Sequence, residues 1–119
     1  MDNNKQLTDS IASIASELFR FKSVFIKAIS KLDLEEQNKY NSQFAWFSKK
    51  VLKALDNTGL RIVTVDGQMY DAGMAVTPLN IDEFEPNEEL FVKQTIEPII
   101  MKDNAVYKTG TVILGRIDT

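Results

Sequence analysis

The carboxylates between positions 82 and 89 are the densest group of side chains in the sequence that could hold a ligand. A calcium-binding loop alternates its oxygen ligands along the chain and places a glycine at its centre. This stretch has neither feature, so we expect a solvated acidic loop and no metal ion. Its acidic residues are Asp82, Glu83, Glu85, Glu88 and Glu89.

Nucleophiles and general bases are scarce. The chain has no cysteine and no histidine, so it lacks thiol nucleophiles, disulfides and the commonest general base and metal ligand. Asp66 and Asp71 flank a glycine and are better explained as turn residues than as a catalytic pair. The serines at positions 10, 13 and 16 have no histidine to activate them, and their small size instead suits close approach of helices. We therefore expect no enzymatic activity, no cofactor and no small-molecule substrate.

Charge is distributed unevenly along the chain. Residues 1–58 hold nine Lys and Arg against seven Asp and Glu, whereas residues 59–119 hold five against ten. This difference suggests two structural parts, and neither has the concentrated positive charge that nucleic-acid binding requires. No apolar run approaches the roughly 20 residues that cross a bilayer, and the first residues lack the apolar core of a signal peptide. We expect a cytoplasmic protein with no membrane or nucleic-acid partner.

Apolar residues between positions 7 and 32 recur alternately every four and three residues. This 3.5-residue repeat keeps a narrow apolar seam on one side of a helix and predicts a partner helix. We expect a homodimer, and the repeat leaves open whether the paired helices run parallel or antiparallel. The residues assigned to dimerisation are Leu7, Ile11, Ile14, Leu18, Phe21, Phe25 and Leu32.

A second helix is predicted after a break near Asp33. Asp33 and Glu36 have the spacing of a capping box, and continuing the first register would place Glu35 on the seam. Either a helical hairpin or a kinked helix fits this break, and we favour the hairpin. The aromatic run at positions 44–47 has helical spacing, so we expect core residues rather than a surface that stacks on a ligand. Gly59 is expected to end the helix in a left-handed conformation.

After Gly59 the apolar period changes from about 3.6 to 2, which indicates strands. We predict strands over residues 60–65, 90–96, 99–102, 105–108 and 111–114, with turns at Asp66-Gly67 and Asp103-Asn104 and a loop over 77–87. The predicted fold class is α+β. A long N-terminal helix and a second helix form a dimeric coiled coil or helical bundle, and a small all-β C-terminal domain follows. The predicted domains are a helical dimerisation region over residues 1–58 and a small β domain over residues 59–119.

A series of short motifs runs from about residue 51 to residue 116. In this order they resemble the C-terminal half of the GrpE family, the nucleotide exchange factors of DnaK-type chaperones. Upstream, a long seam-bearing helix followed by a shorter helix is also similar to that family. The motifs are Val51-Leu52-Lys53-Ala54-Leu55, Gly59-Leu60, Ile62-Val63, Gly67-Gln68-Met69-Tyr70-Asp71, Ala75-Val76, Glu85-Pro86-Asn87-Glu88-Glu89-Leu90, Ile99-Ile100, Asp103-Asn104 and the run from Val106 to Leu114.

The resemblance implies a co-chaperone that binds the nucleotide domain of a DnaK-type chaperone through its β domain and promotes ADP release. By family position it implies Lys108 and Leu114 as contacts, Lys108 standing where the family has arginine. We add Met74 and Met101 as predicted contacts, because methionine suits adaptable protein-binding surfaces. The alternative is a dimeric scaffold or adaptor protein with a GrpE-like fold that lacks exchange activity.

Overall fold

A computed structural model of the chain describes residues 2–117, with side-chain burial from residue 4 onward. The chain divides into two compact units, Met1–Arg61 (the helical unit) and Ile62–Thr119 (the β unit). Two long helices are followed by short strands in two three-stranded sheets. The predicted α+β architecture is therefore confirmed.

The helical unit contains α1, Asp2–Ile29, and α2, Leu34–Asp56. Asp33 caps α2 as predicted, since its Oδ1 accepts a hydrogen bond from the Glu36 backbone N–H at 2.8 Å. Gln37 stabilises the connection, because its Nε2 donates to the carbonyl oxygens of Leu32 at 2.8 Å and Ser30 at 3.3 Å. The break between the helices is thus held by hydrogen bonds from the first turn of α2.

The two helices form an antiparallel hairpin, the alternative that we favoured. Phe25 near the end of α1 stacks on Phe44 of α2 with ring centroids 4.9 Å apart. At the other end of the hairpin, Ile11 lines the same cavity as Val51 and Leu55. The beginning of α1 therefore lies beside the end of α2.

The β unit is built around a central strand, β6. β6 pairs antiparallel with β3 and parallel with β2, while β4 and β5 form an antiparallel hairpin. The strand orders are β2-β6-β3 in one sheet and β1-β4-β5 in the other. β1, Leu60–Val63, begins two residues before the boundary between the units. The other strands are β2 Val76–Pro78, β3 Leu90–Glu97, β4 Ile99–Lys102, β5 Ala105–Lys108 and β6 Gly110–Arg116.

Pro98 separates β3 from β4, which belong to different sheets. Proline has no backbone N–H to donate to a strand ladder, so it marks the point where one pairing ends. The apolar residues on either side of this point contribute to one core. Its buried members are Val65, Leu90, Val92, Ile99, Val112 and Leu114.

Several predicted boundaries differ from the structure. α1 ends at Ile29 rather than near residue 32, and the first strand ends at Val63 rather than at residue 65. The predicted loop over 77–87 contains most of β2 and a turn of 3-10 helix, Ile81–Glu83. β2 has only three residues and includes Pro78, so it carries no alternating pattern; its pairing partner, β6, lies more than 30 residues further along the chain.

Candidate functional site: two interaction surfaces

The predicted seam of α1 divides into two sets in the structure. Every seventh residue is strongly exposed, at 62% for Leu7, 65% for Ile14 and 53% for Phe21. The alternate members of the seam are half-buried: Ile11, Leu18 and Phe25. Leu32 lies in the connection after α1 and is 40% exposed.

This division follows from the hairpin. α2 packs against one side of the seam on α1. Half of the seam residues contact α2, and the other half lie beyond its edge. The seam therefore serves two purposes. One set of residues packs inside the hairpin, and the other remains at the surface.

Ile14 and Phe21 of the exposed set border an apolar groove between the two helices. Two adjoining cavities of about 320 and 520 Å³ share Ile14. We define the apolar groove by Ile14, Leu18 and Phe21 of α1 with Phe47 and Val51 of α2.

The aromatic run on α2 is only partly core, and our prediction was wrong for two of its three aromatic residues. Phe44 is half-buried against Phe25, but Phe47 is exposed at the apolar groove and Trp46 is 65% exposed. Successive residues of a helix are about 100° apart, so a hairpin buries one side of the run and leaves the other open. Helical spacing alone does not say how many neighbours a helix has.

On another face of the hairpin, a second groove carries positive charge. Ile26 and Leu52 are exposed in a cavity of about 500 Å³ between the helices, together with Phe44. Exposed Lys22 stands on α1 and exposed Lys49 on α2. We call these five residues the lysine groove.

In the β unit, the acidic stretch is held in place by Arg116 at the end of β6. The Nε of Arg116 donates to Oε2 of Glu88 at 2.8 Å, and its Nη2 donates to the carbonyl oxygen of Glu83 at 3.3 Å. Its guanidinium also lies over the ring of Phe84, 4.9 Å from the centroid. The expected solvated loop is therefore anchored at three points by one cation.

Asn80 holds the beginning of the same loop. Its Oδ1 accepts a hydrogen bond from the Leu114 backbone N–H at 2.9 Å, and its Nδ2 donates to the Leu114 carbonyl at 3.0 Å. The amide thereby satisfies both backbone groups of a residue in β6, as a neighbouring strand would. The loop is fixed to β6 at both of its ends.

The carboxyl group of Glu88 is shifted toward its charged form. Its pKa lies below the ordinary value of 4.5, first because it accepts a hydrogen bond from the Glu85 backbone N–H and second because it accepts one from Arg116. Glu88 is therefore ionised near neutral pH and joins two parts of the loop to Arg116.

The residues predicted to contact a chaperone lie in different environments. Lys108 and Met101 are half-buried on the paired strands β5 and β4. Met74 and Met101 pack against the same core, and the Met74 sulfur accepts a hydrogen bond from the Asp71 backbone N–H at 3.3 Å. Leu114 is 2% exposed, so its side chain does not reach the surface of the β unit.

Sequence reasoning did not single out Arg116 or Asn80, whose partners lie 28 to 34 residues away along the chain. The available signal was a loop of like charges followed by a strand that ends in arginine. That pattern indicates an ion pair only once the loop is known to fold back on β6.

Metal-binding side chains do not form a cluster among residues 2–117. No group of three or more metal-binding side chains occurs in this range. Asp66, a candidate acid, accepts a hydrogen bond from the Thr95 hydroxyl and so links a turn to β3. None of the helices described is long and apolar enough to cross a membrane. Comparison of the chain with models of protein families, with curated proteins and with solved structures finds no match.

Proposed function

We propose that this chain is a GrpE-like co-chaperone that acts as a cytoplasmic homodimer. Its β unit binds the nucleotide domain of a DnaK-type chaperone and promotes release of ADP. The observation that carries this proposal is the order of elements: two long helices are followed by a small β unit, and the GrpE-like motifs occur from the end of α2 through the β unit in GrpE-like order.

Nucleotide release by this route needs rigid binding and no covalent chemistry. A partner that binds the open state of the chaperone better than the closed state shifts the population toward the open state. The β unit suits this role because Arg116 and Asn80 fix its long loop, so little ordering entropy is lost on binding. The proposed contact surface contains Lys108, Met101 and Met74.

The helical unit supplies the dimer in this proposal. The apolar groove exposes Ile14, Phe21 and Phe47 on one face of the hairpin. Exposed apolar patches of this kind mark association sites. A second copy that covers the groove with its own apolar groove would remove these side chains from water on both chains.

A second candidate function is a dimeric scaffold or adaptor with the same fold and without exchange activity. Two features favour it. Leu114, which the family resemblance places at the contact, is buried, and Lys108 replaces an arginine. Lysine keeps the positive charge but cannot make the two parallel hydrogen bonds of a guanidinium.

The release of labelled ADP from a DnaK-type chaperone of the same cell tests the first function. We expect the chain to accelerate release and Lys108→Glu to reduce the acceleration by about tenfold or more, equivalent to about 1.4 kcal/mol. Lys93→Glu is the matched control, because Lys93 is an exposed lysine on β3. It should retain the acceleration.

Two outcomes would contradict this function. If the wild-type chain does not accelerate release from any DnaK-type chaperone of its cell, the exchange activity is refuted and the scaffold function remains. If the Lys93 and Lys108 variants lose activity equally, the contact is not at Lys108.

A further inference from the structure

The lysine groove has the chemistry of a docking site for an acidic and apolar segment. Ile26 and Leu52 expose apolar side chains in the groove, while Lys22 and Lys49 supply one positive charge from each helix. A ligand that fits must offer apolar side chains for the groove and carboxylates for the lysines. A purely apolar or a basic partner would leave the lysines desolvated or repelled.

The β unit of the same chain presents a segment with that chemistry at residues 79–83. Leu79 and Ile81 are exposed apolar residues, and Asp82 and Glu83 are exposed carboxylates beside them. Asn80, between the two apolar residues, is tied to Leu114. Asn80 thus ties the segment to β6, residues 81–83 form a 3-10 turn, and the apolar and acidic side chains are exposed.

We propose that the lysine groove of one copy binds segment 79–83 of a second copy. Two exposed apolar residues and two carboxylates on the segment match two exposed apolar residues and two lysines in the groove. The two halves of the chain are complementary in the same way, since residues 1–58 have a net positive charge and residues 59–119 a net negative charge. Opposite charges steer the surfaces together, and the apolar contacts supply most of the affinity.

This contact does not rest on the chaperone partner or on the apolar groove. It uses a different face of the hairpin, so a chain that fails to accelerate ADP release still tests it. The test below contains no chaperone, and its result is independent of exchange activity.

Cross-linking through single cysteines tests the contact, because the natural chain has none. A Leu52→Cys chain and an Ile81→Cys chain with different tags are co-expressed, purified together and treated with a short bismaleimide. We expect a mixed cross-linked dimer in clear excess over dimers of either variant with itself. The matched control replaces Ile81→Cys by Val106→Cys, an exposed apolar position on β5. A mixed dimer no more abundant than with this control would overturn the proposal.

A second cross-linking experiment reverses the charges on the lysine groove and on segment 79–83. Lys22→Glu with Lys49→Glu in the Leu52→Cys chain should reduce the mixed dimer to the control level. Adding Asp82→Lys with Glu83→Lys to the Ile81→Cys chain should restore it, because the signs are then complementary again. Failure of the double exchange to restore cross-linking, with both chains folded by circular dichroism, would show that the lysines and carboxylates do not pair.

Discussion

Arg116 contacts the acidic loop at three points: a carboxylate, a backbone carbonyl and an aromatic ring. Its side chain is 60% exposed and that of Glu88 is 25% exposed, so the ion pair is partly screened by water. Arg116 contributes mainly by fixing the positions of residues 83, 84 and 88 relative to one another. Preorganisation of the loop is the contribution that we assign to it.

The pH dependence of stability tests this anchor. The folded-state pKa of Glu88 is depressed below 4.5, so its contribution is present above pH 4.5 and is lost as the pH falls through the folded-state pKa. We expect Glu88→Gln to be less stable than wild type above pH 4.5. The two urea-denaturation curves should converge as the pH is lowered further.

Glu89→Gln is the control for the pH experiment, because it removes one negative charge from the same loop. It reports the effect of net charge alone. If the Glu88 and Glu89 variants show the same profile, the hydrogen bonds of Glu88 do not contribute to stability.

Gly110 is required by close backbone approach rather than by its φ angle. A Cβ built at this position would lie 2.8 Å from the Glu97 carbonyl oxygen and 3.1 Å from the Ile99 backbone nitrogen. Both are main-chain atoms on either side of Pro98, so neither can swing away as a side-chain terminus can. Gly110 falls between two predicted strands, but its approach to residues 97 and 99 depends on the fold.

We expect Gly110→Ala to lower the free energy of unfolding by about 1–3 kcal/mol, as overpacking does in a dense interior. Gly73→Ala is the control, since the nearest atoms to its new Cβ would be carboxylate oxygens of Asp71 at 3.7 Å. Its effect should stay within about 0.5 kcal/mol. Urea denaturation measures both. Equal stabilities for the two variants would refute the packing argument.

At the level of elements, the helical hairpin determines which seam residues remain available for a partner. Leu18 is half-buried, so a charge placed there would disturb the hairpin together with any dimer. Ile14 lies in the apolar groove and is exposed. It is therefore the better position at which to test association without unfolding the chain.

We expect Ile14→Asp to abolish the dimer, because association would bury a carboxylate without a partner. A cost of roughly 3 kcal/mol or more weakens association by more than about 100-fold. Val24→Asp is the control, since Val24 is an exposed residue of α1 outside the residues that define the apolar groove. Lys22→Glu and Lys49→Glu are added to both variants to remove the proposed lysine-groove contact. Sedimentation equilibrium should then give a single chain with Ile14→Asp and a dimer with Val24→Asp. An unchanged mass for Ile14→Asp would rule out the apolar groove as the interface.

At the level of the whole molecule, association should be visible through the one tryptophan of the chain. Trp46 is exposed and lines a cavity with Phe47 at the apolar groove. A homodimer links stability to protein concentration. We therefore expect the Trp46 emission to move to shorter wavelength and the Tm to rise as the protein concentration increases. Neither should change in a chain that carries Ile14→Asp together with Lys22→Glu and Lys49→Glu, and a concentration-independent Tm for wild type would indicate a monomer.

The sequence determined the elements whose signals are local. Asp33 caps α2, Gly59 and Gly67 adopt positive φ, and Asp103 forms the predicted turn with φ of 55°. Each depends on residues within a few positions along the chain, so composition and spacing are sufficient. The α+β class followed from the change in apolar period after Gly59.

Tertiary structure alone decided which side of each element is used. The seam repeat is the same at Ile14 and Leu18, yet only one is exposed, because α2 covers one side of α1. β2 exists through pairing with β6, and the acidic loop is ordered by Arg116 and Asn80. These features depend on contacts between residues distant in sequence, and no local pattern records which distant segments meet.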